Sequence, residues 1–299
     1  MKYRHAFHAG NFADVHKHVT LLALLRLLTR KDKGLLLLDT HAGRGLYDLA
    51  GAEARKAGEA ANGIERLLAK RDAIEAPAIL DYLDLVRASR KSLEARRGRD
   101  ARDTYPGSPL LALGALRSQD RVVLIEAQPE EHAALREAAR QAESGAAEIV
   151  SMLTIECADG FERLAAWLPP IERRALVLID PPYEDSGGDF RAVERAAKEC
   201  LRRLANAVVA IWYPIKQGKE TDAWRQKLIA GLPPQAGGTP TPAAALELWV
   251  HPLDNRVGLN GSGMLVINPP YQFAEQAADW LPALHALLDD SASGGCALR

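Results

Sequence analysis

Seven short apolar runs punctuate this chain, and their spacing restricts its fold more than any other feature. They are Leu35-Leu36-Leu37-Leu38, Val122-Val123-Leu124-Ile125, Ile149-Val150, Leu176-Val177-Leu178-Ile179, Val208-Val209-Ala210-Ile211, Leu246-Glu247-Leu248-Trp249-Val250 and Met264-Leu265-Val266-Ile267. Most are continuous rather than alternating, which is the pattern of strands covered on both faces. Helical patterns lie between them, among them Pro129 to Ala142 and Phe190 to Leu204. Strand and helix in alternation imply an α/β doubly wound sheet. Only a short segment separates the last two runs, and it holds Gly258, Asn260, Gly261, Ser262 and Gly263. That is too short for a crossover helix, so the two are expected to pair as an antiparallel hairpin. The expected architecture is Rossmann-like: seven strands, mostly parallel, ending in one antiparallel hairpin.

One interruption is large. Far more residues than one helix needs lie between Asp39–Gly45 and the run at Val122. Residues 57–102 read as mostly helical, with Ile64, Leu67 and Leu68 followed by Ile79, Leu80, Leu83, Leu85 and Val86. Pro77 suits a helix start better than a helix interior. The expected organisation is a main domain of residues 1–46 and 104–299, with a small helical insert at 47–103. The insert ends in a basic run of Arg87, Arg90, Lys91, Arg96, Arg97, Arg99 and Arg102 against Glu94 and Asp100. Such a run is either a solvated helix face or a surface that meets phosphates.

Composition closes off several classes. No apolar run reaches the roughly 18 residues of a membrane span. Met1-Lys2-Tyr3-Arg4-His5 leads into no signal-type stretch, so a cytoplasmic protein without membrane association is expected. The three cysteines, Cys157, Cys200 and Cys296, form no Cys-x-x-Cys pair, which argues against a disulfide framework and a thiolate zinc site. A net charge of -1 disfavours coating nucleic acid by global charge and leaves room for a local basic patch.

The motifs sit where the runs end. Asp39-Thr40-His41-Ala42-Gly43-Arg44-Gly45 follows the first run. Its glycines let the backbone turn tightly and approach a ligand at the strand's carboxyl end. It is not the dinucleotide pattern Gly-x-Gly-x-x-Gly. A leading acid with a short Gly-x-Gly turn is typical of S-adenosylmethionine sites; an ordinary strand-to-helix turn is the alternative. Glu126 closes the second run, where an acid can accept from both ribose hydroxyls or stand as a plain surface carboxylate. Asp159-Gly160-Phe161 follows the third run, where an acid can accept from an adenine amine; a plain Asp-Gly turn is the alternative.

The most specific signal is Asp180-Pro181-Pro182-Tyr183, at the end of the fourth run. An exocyclic base amine is a poor nucleophile because its lone pair is delocalised into the ring. The Asp180 carboxylate and the Pro181 carbonyl can accept its two N–H groups, orient the lone pair and stabilise positive charge as it develops. Pro181 and Pro182 stiffen the loop. Tyr183 can stack on the base. An aspartate with an ordinary pKa of about 3.9 is too weak a base to deprotonate a neutral aryl amine, so its first role is orientation. Holding methyl donor and amine in line can supply roughly 7–11 kcal/mol of the barrier. The alternative is a rigid Pro-Pro turn. A twin, Asn268-Pro269-Pro270-Tyr271, follows the last run. Order along the chain favours Asp180, which comes after the cofactor motifs and before the fifth run.

Five of the eight histidines fall in residues 1–41. No His-Glu-x-x-His spacing and no nearby cysteine accompany them, so no metal is expected. Asp14 is expected to start a helix over Val15 to Leu28, with Lys17 and His18 in its first turns. The N-terminal segment is expected to fold over the cofactor and target pockets.

Together these motifs resemble the RlmJ family of bacterial 23S rRNA adenine-N6 methyltransferases. The resemblance rests on Tyr3-Arg4-His5 with Phe7-His8-Ala9-Gly10-Asn11, Ala13-Asp14-Val15 with Lys17-His18, and Asp39-Thr40-His41-Ala42-Gly43. It continues through Tyr105-Pro106-Gly107-Ser108-Pro109, Asp180-Pro181-Pro182-Tyr183-Glu184, Trp212-Tyr213-Pro214-Ile215-Lys216 and Gly263-Met264-Leu265 with Asn268-Pro269-Pro270. It implies a class I methyltransferase fold with a helical insert, acting as a monomer on 23S rRNA. It implies that His18, His41, Ser108, Glu126, Asp159 and Gly160 contact S-adenosylmethionine, that Asp180 is catalytic and that Tyr3 lies at the RNA. The C-terminal Asp289-Asp290 and the Ser/Gly tail add nothing to the match. The chemistry leaves three other readings open: a DNA amino-methyltransferase that flips its base, a protein glutamine N5 methyltransferase built on Asn268, and an RNA-binding protein without catalysis.

Overall fold

The computed structural model describes residues 5–97, 101–143, 153–256, 258–289, 291 and 293–299. In chain order the first half comprises α1 (Phe12–Leu28), β1 (Leu36–Asp39), β2 (Leu46–Asp48), α2 (Ala52–Ala57), α3 (Ile64–Ala69), α4 (Pro77–Arg97), β3 (Thr104–Pro106), α5 (Ser108–Ala115), β4 (Arg121–Glu126) and α6 (Pro129–Glu143). The second comprises β5 (Leu153–Cys157), α7 (Gly160–Trp167), β6 (Ala175–Ile179), α8 (Ser186–Arg203), β7 (Val208–Ile215), α9 (Gly218–Ala230), β8 (Ala243–Trp249), β9 (Gly261–Ile267), α10 (Phe273–Leu288) and β10 (Gly295–Leu298).

Among the described residues the main sheet has eight strands rather than the expected seven, in the order β10-β8-β9-β7-β6-β1-β4-β5. From β5 to β7 all pairs are parallel, while β9 runs antiparallel to both β7 and β8. The continuous apolar runs follow from burial on both faces. Leu35 and Leu37 enter one core with α1 and α10; Leu36 and Leu38 enter the other with α7 and α8. Each such leucine contributes roughly 1.5–3 kcal/mol on leaving water. Ile149-Val150, read above as the third strand, lies outside the described residues; the third parallel position is taken by β5, at the sheet's edge.

The eighth strand is the tail that read as a loose Ser/Gly segment. β10 pairs antiparallel with β8. Arg299 exchanges both backbone hydrogen bonds with Ala245, and its Nε donates to Glu247 (2.8 Å). A second, two-stranded sheet joins β2 to β3.

Pro77 opens α4. Arg90, counted above in the basic run, does not face solvent. It is 8% exposed, and it donates to the Thr104 carbonyl (2.8 Å) and to Glu65 (2.6 Å). Arg99 lies outside the described residues, as do the side chains of Arg96 and Arg97. The start of α3 meets the N-terminal segment without space between them. Ile64 N donates to the Gly10 carbonyl (2.9 Å), and a Cβ at Gly63 would fall 2.0 Å from that oxygen. Asn11 Nδ2 donates to Glu59 (2.9 Å), and His8 is hydrogen-bonded to the same carboxylate. Among the described residues, no helix is long and apolar enough to cross a membrane.

Candidate active site

In an open parallel sheet, ligands bind beyond the carboxyl ends of the strands where the strand order reverses. Here that point lies between β1 and β6, and a cleft of about 2010 Å³ opens there. Single-ligand pockets run to roughly 300–1,000 Å³, so it can hold a cofactor and a nucleotide together. His18, His41, Ser108, Glu126, Asp159, Gly160, Asp180, Pro181, Pro182 and Tyr183 all line it. Tyr3 lies outside the described residues.

Asp180 meets a residue to which the motif reading gave no role. Lys17 Nζ donates to Asp180 Oδ2 (2.6 Å) and also pairs with Asp14 Oδ1 (2.9 Å), one helical turn earlier. Asp14 does not cap α1 as expected. Asn11 is the cap, its side chain accepting from Asp14 N (2.9 Å), and the helix begins at Phe12. Asp14 lies buried beneath that turn, where Oδ2 accepts from Gly10 N (3.0 Å) and meets His5 Nε2 (2.9 Å). Burial opposes both charges. His5 and Lys17 nevertheless hold Asp14 well below the usual carboxylate range, and Asp14 and Asp180 hold Lys17 well above the usual ammonium range. Two carboxylates and one ammonium thus meet on the wall of the cleft.

The other half of the cleft is built from strand ends. Burial pushes the Asp39 carboxyl up to about 6, against hydrogen bonds from Ser108 Oγ (2.7 Å) and His41 N (3.2 Å). Ser108 therefore braces Asp39. Glu126 Oε2 accepts from Gly43 N (2.9 Å) and Oε1 from Gln128 N (2.7 Å), so it holds the turn after β1 against β4. Burial raises Glu126 above its ordinary value. Asp159 caps α7, its Oδ1 accepting from Phe161 N and Glu162 N. Gly160 is required sterically, since a Cβ there would lie 1.9 Å from the Thr40 carbonyl. Burial lowers His41 to about 4, and its ring stands edge-on to Phe161. Burial likewise lowers His18 to about 3; Nδ1 is bonded to the Tyr105 hydroxyl (2.7 Å) and Nε2 is buried without a partner among the described residues.

This donor set fits S-adenosylmethionine. An unpartnered ring nitrogen, a strand-end carboxylate and a capping aspartate with one oxygen unused by the cap all line one cleft. The five N-terminal histidines have separate partners: Asp14, Glu59, Ser262, Tyr105 and Thr40.

Two tetrapeptide expectations meet the structure differently. Tyr183 is not the free stacking platform read from the sequence. Its ring is 3% exposed, packed on Phe190 and Trp212, and its hydroxyl donates to the Trp212 carbonyl (2.6 Å). It fixes the loop instead. Asn268 is at the opposite end of the strands from Asp180, because β9 runs antiparallel to β7, which is parallel to β6. Its Nδ2 donates to the Ala205 and Ala207 carbonyls (both 2.9 Å), its Oδ1 accepts from Gln235 (3.0 Å), and it does not line the cleft. Asn268→Ala strands those groups and should cost about 1–3 kcal/mol, read as a lower unfolding midpoint, with methyl transfer retained. Loss of turnover in a folded variant would reverse the choice between the twins.

Comparison with known proteins bears on the whole chain. A family model described as "Ribosomal RNA large subunit methyltransferase D, RlmJ" matches residues 32–299. "Ribosomal RNA large subunit methyltransferase J" of Escherichia coli is 38% identical, with 98% of this chain and 96% of that protein covered. The protein of the same name from Haemophilus influenzae is also 38% identical, with the same coverage. A crystal structure of protein LPL1258 from Legionella pneumophila superposes with a TM-score of 0.81 at 31% identity, covering 98% of each chain.

Proposed function

This chain belongs to the RlmJ family of ribosomal RNA large subunit methyltransferases, and from that premise we propose that its cleft transfers a methyl group from S-adenosylmethionine to the N6 amine of an adenine in 23S rRNA. The observation that carries this reading is the Asp180 carboxylate, set at the switch point of the sheet in the same cleft as Glu126 and Asp159.

Bound S-adenosylmethionine supplies an electrophilic methyl group. The chain's part is to bind, orient and stabilise. We assign the cofactor to His18, His41, Ser108, Glu126, Asp159 and Gly160. The Glu126 oxygens each keep a lone pair for the ribose hydroxyls beyond their backbone donors, and Asp159 Oδ2 suits an adenine amine. His18 is neutral at physiological pH, so Nε2 can meet the cofactor without adding charge. Ser108 acts through Asp39. Lys17 occupies Asp180 Oδ2, which leaves Oδ1 and the Pro181 carbonyl for the two N–H groups of the target amine. The two carboxylates, against one ammonium, stabilise positive charge as nitrogen is alkylated. The proton departs late, to Asp180 or through it to water. Pro181 and Pro182 stiffen this edge, and Tyr3 is assigned to the RNA strand.

Residues 47–103 are read as a helical insert in a methyltransferase domain of 1–46 and 104–299, and the protein as a cytoplasmic monomer. A glutamine methyltransferase would use Asn268, which stands away from the cleft.

Mass mapping of methylated adenines in rRNA from cells with and without the gene tests the reading. The expected result is one 23S adenine that loses its methyl group. An unchanged map would turn attention to DNA.

A further inference from the structure

The cleft does not end at Asp180. Its far end is closed by the turn from β7 to α9 and by residues 250–260, the connection from β8 to β9. That connection is longer than the 2–5 residues a hairpin needs, and such loops commonly carry function. It is also firmly held. Asn260 is fully buried, and its Nδ2 donates to the Lys216 carbonyl and the Asn255 carbonyl (both 2.6 Å). Asn260 N donates to the Ile215 carbonyl, and Gly218 N donates to the Leu253 carbonyl (both 3.0 Å). The two segments thus make one platform.

Two cations project from it into the cleft, Lys216 and Arg256. Among the described residues, neither has a hydrogen bond or ion pair through its side chain. Elsewhere in the cleft, Lys17 is held by two carboxylates and Arg44 by a bidentate contact with Glu131. Asp289, which also lines the cleft, accepts from Ser291 N and Gly294 N and lies 3.4 Å from His285 Nε2; among the described residues it makes no ion pair with Lys216 or Arg256. Position matters as much as charge. Ile211 of β7 pairs with Ile179 of β6, and β7 runs on to Ile215. Lys216 therefore stands roughly 13 Å beyond the level of Asp180, at about 3.3 Å per strand residue. That is too far to touch the target base and suited to the backbone next to it.

We infer that Lys216 and Arg256 form a phosphate subsite that holds the RNA strand on one side of the adenine presented to Asp180. The inference rests on the RNA reading of the cleft. Contacts of this kind fix register and orientation and carry no sequence information. The subsite acts with the N-terminal segment across the cleft, so the target nucleotide is held from both flanks.

The test is the double variant Lys216→Ala/Arg256→Ala, titrated with a 23S rRNA transcript in the presence of S-adenosylhomocysteine across a salt series. Two lost phosphate contacts should weaken binding about tenfold near physiological salt and flatten the log–log salt slope by about 1.5. S-adenosylmethionine affinity, which reports the fold, should hold, and Lys216→Arg/Arg256→Lys should restore both RNA readouts. An unchanged slope and affinity, in a protein that methylates rRNA, overturns the subsite and leaves the function standing. A wild-type protein that leaves rRNA unmethylated, with the slope lost on duplex DNA instead, overturns the RNA occupant together with the function reading.

Discussion

Asp180→Ala should lower kcat for methyl transfer by at least about 10²–10³-fold, the cost of losing one preorganised group aimed at developing charge. Affinity for S-adenosylmethionine should survive, because the cofactor contacts proposed above fall on Glu126, Asp159 and His18 and not on Asp180. The fold should survive as well, since Lys17 keeps Asp14 at 2.9 Å. Single-turnover methylation of a 23S rRNA transcript, alongside calorimetric titration of cofactor, separates these outcomes. Turnover within roughly tenfold of wild type would remove Asp180 from the chemistry.

Lys17→Met should be the more disruptive change. It leaves the Asp14 and Asp180 carboxylates facing one another without the ammonium between them. Removing one partner of a buried pair costs about 3–5 kcal/mol, so the unfolding midpoint should fall by several degrees and methyl transfer should fail. The acid limb of stability should change too. The folded-state pKa of Asp14 lies below its unfolded value. Its contribution is therefore fully present above the ordinary carboxylate range and is lost as pH falls toward the folded value. Without Lys17 that loss becomes shallower. Adding Asp14→Asn should recover stability without recovering turnover, because the hold on Asp180 Oδ2 stays lost. Recovery of both would make Lys17 merely structural, and an unchanged midpoint would contradict the buried pairing.

The parallel half of the sheet was legible because strands buried on both faces need no polar alternation, and Leu35 to Leu38 show none. The order of motifs along those strands favoured Asp180 over Asn268, and strand direction places Asp180, and not Asn268, on the cleft. What stayed hidden depended on distant partners. A lysine in a first helical turn reads as solvated, and Lys17 acquires its role from a carboxylate 163 residues away. Tyr183 looked free beside two prolines because Phe190 and Trp212 are supplied by other elements. β10 is four residues that follow Ser293 and Gly294, too short to show a period. Arg90 carried a readable signal that the charge run masked. It falls on the stripe of Tyr82, Val86 and Leu93, at helical spacing on the buried face of α4.

The seam between Gly10 and Gly63 constrains how the proposed insert at 47–103 can be studied. With a backbone hydrogen bond across it and no room for a single methyl group, the start of α3 is the footing on which the capping turn of α1 stands. Glu59 secures the same turn through Asn11 and His8. Excising residues 47–103 would withdraw that footing and unseat Lys17 from Asp180. A silent truncated enzyme would then testify to a collapsed scaffold, whatever the insert does with RNA. Charge reversal at the exposed Arg87 and Lys91, which leaves the footing intact, puts the question to the insert alone.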